Sequence, residues 1–179
     1  MSVLLFPFDP DWTDPVREKV SHLTKIMTAR SGMEQRIALR TKPRRELGFT
    51  AFTEDVGQAQ LLDSLLTDAI PESWGVPWWM DATVYTGSLA QGATVIPVST
   101  VDRSFADAAM VLLWSSPTSW EVQPVESVGP AAITCTPLSK AWTNPVVVPV
   151  FTGRLADAQA VEWLSSRISK ASVQFTVDA

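Results

Sequence analysis

Between Val84 and Val148 the chain is a succession of short apolar runs separated by turn residues, and this succession restricts it to a β-rich fold. The runs YTGSLAQGATVIPVS, AAMVLLW, WEVQPVESV, AAITCTPL and NPVVVPV, broken by turns, all read as β. So many strands in a short stretch suggest a small barrel or sandwich. Proline cannot donate to a ladder, so Pro97, Pro124 and Pro149 belong at edges or bulges.

The flanks carry both periods. Prolines at 7, 10 and 15 keep the N-terminus extended, an arm anchored by Phe6, Phe8 and Trp12. Residues 16–30 fit two patterns. Val16, Val20, Leu23 and Met27 recur at helical spacing, while Val20, His22, Thr24, Ile26 and Thr28 alternate as a strand would. After the turn signal Ser31-Gly32, EQRIALR alternates cleanly, with Gln35, Ile37 and Leu39 opposed to Glu34, Arg36, Ala38 and Arg40. Pro43 ends that strand, and LGFTAF forms the next. Thr53–Ile70 is a helix, capped at Thr53 or Asp55, with Val56, Ala59, Leu62, Leu66 and Ala69 on one stripe. Gly153 breaks the later β run, Leu155–Ser169 reads as a second helix, and SVQFTV closes the chain as a strand. The expected fold is α+β and mainly β: a β-sandwich-like domain with a packed helix, plus an inserted small β-barrel. Residues 1–81 and 150–179 form the first, and residues 82–149 the second.

Charge is distributed unevenly. The net charge is −5, yet nine Lys/Arg stand against two acids from Arg17 to Arg45, and five against thirteen after Gly48. A basic patch on an acidic chain serves nucleic acid or an acidic face of another subunit. No nucleic-acid motif or basic–aromatic interleaving accompanies it, so the subunit reading is preferred. No apolar run approaches the roughly 20 residues of a membrane helix. MSVLLFPFDPDW has no basic leader and breaks at Pro7, so no signal peptide is expected. Eight tryptophans serve cores, interfaces or sugar platforms, and Trp78, Trp79 and Trp120 are the candidates for a platform.

Catalytic motifs are missing from the sequence. No Gly-rich phosphate loop, HExxH, GxSxG or CxxC occurs. Cys135 is the only cysteine and reads as a buried inert thiol, in keeping with a reducing cytoplasm. His22 is the only histidine, which leaves one base for a Ser–His or Cys–His pair. Glu121 and Glu126 sit five apart, so in a regular strand they face opposite sides, unlike a glycosidase pair. The acids at Glu54 lack EF-hand spacing. No enzyme activity, metal or cofactor is expected.

Residues 20–52 resemble a recurring stretch in tail proteins of long-tailed bacteriophages. The matching pieces are LTKIMTARSGMEQRIALR, PRRELGFTAF, the helix with QAQLLDSLL, and GVPWWMDA. In residues 87–150, GATVIPV, the turn at Ser104-Phe105, an LLW strand, EVQPVESV and an apolar closing strand are similar to a second habit of these proteins. Together the pieces cover about three quarters of the chain. The resemblance implies a hairpin over residues 20–40. It also implies a distal-tail or tail-tip (baseplate) subunit of the virion, assembled in the host cytoplasm. Such a subunit forms a ring, six-fold or three-fold, linking the tail tube to the host-adsorption apparatus. Arg36, Arg40, Arg44 and Arg45 are then the expected interface residues, with the tail tube and hub proteins as further partners. A glycan-binding attachment module and a tail-associated cell-wall hydrolase are the alternatives.

Overall fold

The computed structural model describes residues 4–22, 24–28, 30–39, 43–67, 73–106, 108–156 and 159–178. The first half contains β1 (Leu4–Leu5), β2 (Arg17–Ser21), β3 (Thr24–Thr28), β4 (Glu34–Ala38), β5 (Arg44–Phe52), helix α1 (Val56–Thr67) and β6 (Trp74–Pro77). A 3-10 turn at Trp79–Asp81 leads to β7 (Thr83–Val84), β8 (Ser88–Leu89) and β9 (Val95–Ile96). Then come β10 (Met110–Ser116), β11 (Ser119–Gly129), β12 (Ala132–Cys135), β13 (Trp142–Thr143), β14 (Val146–Leu155), β15 (Ala160–Trp163) and β16 (Ser169–Asp178). Strand takes 52% of the described residues and helix 11%, so the fold is α+β and mainly β.

One twelve-stranded sheet organises the chain. Its main path runs β2-β5-β16-β14-β10-β11-β12-β9, with β6 and β7 on β14, β1 on β6 and β15 on β16. Period-2 alternation sets the faces. On β5, Leu47, Phe49 and Ala51 are buried, and they face Phe175, Val173 and Ala171 of β16 in register. The Phe6 ring meets Phe8, Phe49, Trp74 and Phe175 at centroid distances of 5.5, 5.9, 6.3 and 5.3 Å. Helix α1 covers this core with Leu62 and Leu65.

A second core lies on the opposite face of the central strands. On β10, Leu112 faces the first core, whereas Val111 and Leu113 face the second. On β14, Val148 and Val150 divide from Val147 in the same way. Every fully buried apolar residue of the second core, from Leu89 to Val147, falls within residues 82–149. The Arg103 guanidinium ties the two regions by donating to the carbonyls of Asp81 and Ala82 at 3.0 and 2.9 Å.

Of the two patterns that segment 16–30 fits, the strand pattern holds over Arg17–Ser21 and Thr24–Thr28, because β2 pairs along β5 and β3 pairs with β4. Several other expectations need correction. Phe6 and Phe8 are fully buried, but Trp12 is 61% exposed. Asp11 accepts the Thr13 N–H and closes a turn that carries Trp12 outward. Helix α1 is capped by Asp55, whose Oδ1 accepts the Gln58 N–H at 2.9 Å. Thr53 instead binds Ser169 through its hydroxyl, and Gln58 and Leu65 enter the buried stripe while Val56 stays exposed. Residues 68–70 lie outside the described residues.

The expected second helix at Leu155–Ser169 is replaced by the end of β14, β15, a turn, and the start of β16. Gly153 is not a break. A Cβ there would stand 2.7 Å from the Thr176 carbonyl oxygen and 3.0 Å from Val76 Cγ2, so glycine lets two strands approach. Pro97 and Pro124 are exposed, and Pro124 precedes a register shift in β11. Pro149 is buried within β14, paired to Val111. Its carbonyl accepts the Trp78 N–H at 2.8 Å, on the side where pairing passes from β6 to β7. Its missing donor therefore falls in that interruption.

Candidate functional site

Strands β3 and β4 form a two-stranded sheet of their own, paired Thr24↔Ala38 through Thr28↔Glu34. Gly32 turns this hairpin at φ +83°. The hairpin is an insertion: Ser21 of β2 and Arg44 of β5 are direct ladder partners, and the chain leaves between them. Both faces carry exposed apolar side chains. Met27 and Ile37 lie on one face at 47% and 38% exposure, and Ile26 on the other at 55%. Met33 and Leu39 add 73% and 53% exposed side chains. An isolated two-stranded ribbon is marginal in water without a surface to pack on.

The expected interface arginines divide into two sets. Arg36 lies in β4 opposite Ile26, on the arm. Arg40 lies outside the described residues. Arg44 and Arg45 open β5 and engage their own chain. Arg44 Nη2 donates to Thr176 Oγ1 at 3.2 Å. Arg45 forks onto Glu18 Oε1, with Nε at 2.9 Å and Nη2 at 2.8 Å, while its guanidinium carbon stands 4.3 Å over the Trp78 ring.

A groove of about 300 Å³ opens at the far end of β5. It is lined by Asp9, Asp11, Trp12, Phe52, Glu54 and Trp114, among others. The extended N-terminus, the end of β5 and the start of α1 bring these residues together, helped by the bond from Trp114 Nε1 to the Pro7 carbonyl at 2.8 Å. Burial pushes the Asp9 carboxyl above its ordinary range, and the neighbouring carboxylates of Glu54 and Asp11 push it further. Lys170 reaches Asp14 at 2.6 Å and Asp11 at 3.9 Å. Among the described residues, no cation pairs with Asp9 or Glu54. No three His, Cys, Asp or Glu side chains among them converge to hold a metal ion. Sequence reasoning missed this groove, because its acids lie far apart in the chain and meet only through packing.

The tryptophan candidates separate by burial. Trp78 and Trp79 are 3% and 5% exposed, packed edge-on against Phe151 and Trp114, so they form no exposed pair. Trp120 is 37% exposed on β11, opposite Trp114. Glu121 is buried, and its carboxylate accepts from Ser139 N, Gln123 Nε2 and Trp142 Nε1. Burial opposes its charge, but these donors prevail and hold its pKa below the ordinary range, the reverse of what a general acid requires. Glu126 and His22 are exposed. Cys135 is buried, and burial raises its thiol pKa, with Glu126 and Glu121 adding to the rise. No helix among the described residues is long and apolar enough to cross a membrane.

No protein-family model matches this chain, and no curated protein matches it significantly.

Proposed function

We propose that this protein is a structural assembly subunit, a ring-forming component of the tail tip or baseplate of a long-tailed bacteriophage. The observation that carries the assembly reading is the two-stranded arm from Thr24 to Leu39, which stands outside the main sheet with large apolar side chains exposed on both faces. A ribbon with no core of its own gains most by packing on another chain. The phage-tail part rests on the order of the pieces LTKIMTARSGMEQRIALR, PRRELGFTAF and GVPWWMDA. The basic arm on an acidic body supports contacts between copies over nucleic acid.

The test is the mass and shape of the purified full chain. Light scattering coupled to size exclusion should find an oligomer, and negative-stain electron microscopy should show closed rings, six-fold being preferred. A chain that stays monomeric at concentrations well above micromolar would remove the ring reading.

A further inference from the structure

The arm and the acidic groove stand at opposite ends of β5. The arm leaves the body beside Arg44, and the groove is built around Phe52. That nine-residue strand spans about 26 Å at about 3.3 Å per residue. The arm's own strands are five residues each, about 13 Å at the same rise, and start at the wrong end to reach back. Within one copy, no described residue of the arm lines the groove.

Their chemistries complement each other. Residues 24–39 hold Lys25, Arg30 and Arg36 against Glu34 alone, with Ile26, Met27, Met33, Ile37 and Leu39 among them. The groove offers Asp9, Asp11 and Glu54 around the exposed faces of Trp12 and Phe52. Carboxylates beside aromatic faces suit a basic, apolar ribbon, through ion pairs, cation–π contacts and apolar burial. We propose that the hairpin arm of one copy docks in the Asp9–Trp12–Glu54 groove of a second copy. This contact is head-to-tail, and a head-to-tail contact closes into a ring when its rotation divides the circle. The inference rests on the ring reading above and names the surfaces that make the ring.

Two variants test it, each lacking one half of the contact. In the first, residues 22–43 are replaced by an Asn-Gly turn, which suits the Ser21↔Arg44 pair as a two-residue hairpin. In the second, Trp12→Lys and Glu54→Lys reverse the groove's character at two exposed positions. Circular dichroism confirms that each is folded, and native mass spectrometry reads assembly. Each variant alone should run as a monomer. An equimolar mixture should give a 1:1 heterodimer, because one copy keeps the arm and the other keeps the groove.

Two results would overturn the docking while leaving the ring intact: no heterodimer although the wild type forms rings, or rings from the groove variant alone. The latter would mean that the arm seats elsewhere. A wild-type chain that never oligomerises would overturn the ring reading and the docking together.

Discussion

Trp142 Nε1 donates to Glu121 Oε2 across 2.9 Å inside the second core. The same carboxylate takes the Ser139 N–H at 2.5 Å and Gln123 Nε2 at 2.6 Å. One buried carboxylate thus clasps the loop before β13 to strand β11, and Lys140 stacks 4.2 Å over the Trp142 ring outside it. Glu121→Gln should cost about 2 kcal/mol, since it replaces an acceptor with a donor facing donors. The pKa of Glu121 is depressed in the fold, so its ionisation stabilises fully above the ordinary glutamate value. That contribution is lost as pH falls through the depressed value. Urea melts of wild type and E121Q should therefore converge in acid. A gap that widens in acid would refute the clasp.

Gly153→Ala should destabilise by about 2 kcal/mol, because the new methyl group meets the Thr176 carbonyl and Val76. At a chain break with room for a methyl group the same change would stabilise by up to about 1 kcal/mol. The sign of the shift in Tm distinguishes the close strand contact from a break directly.

Arg45→Ala should cost about 1 kcal/mol, through its pair with Glu18 and its seat over Trp78. Arg45→Lys should fall between, keeping charge but losing the fork. Chemical denaturation followed by tryptophan fluorescence measures both. Equal stability of all three proteins would show that the contact adds nothing.

Phe6→Ala should cost about 4 kcal/mol, because Phe6 sits among four aromatic rings with no exposed surface. Trp12→Ala should change stability by less than about 0.5 kcal/mol, since Trp12 is largely exposed. Thermal melts of the two variants reveal which part of the N-terminal segment anchors it.

Some of this architecture was legible in advance for simple reasons. Alternation in LGFTAF identified β5, because a strand with one buried face must alternate, and the same period in EQRIALR identified β4 although its described side chains are exposed. The stripe through Ala59 and Leu62 and the acid at Asp55 marked α1. Residues 155–169 misled because Val161, Leu164 and Ile168 fit a helical stripe, while β15 owes its state to pairing with β16. Short apolar runs carry too little local preference to resist a partner strand. Gly153 misled for a related reason: glycine marks a break and a close strand contact alike.

By itself, the sequence determined that this chain is β-rich, that a turn at Ser31-Gly32 separates two strands, and that basic charge gathers between Arg17 and Arg45. These are local properties, set by period, turn chemistry and composition. Only the tertiary structure decided that Arg45 is spent on Glu18 and Trp78 while the arm beyond it forms a sheet of its own, off the main one. Only the tertiary structure brought Asp9, Trp12 and Glu54 into one groove at the opposite end of β5 from that arm. Such pairings depend on which strands lie side by side, and strand neighbours are chosen by packing across the whole sheet.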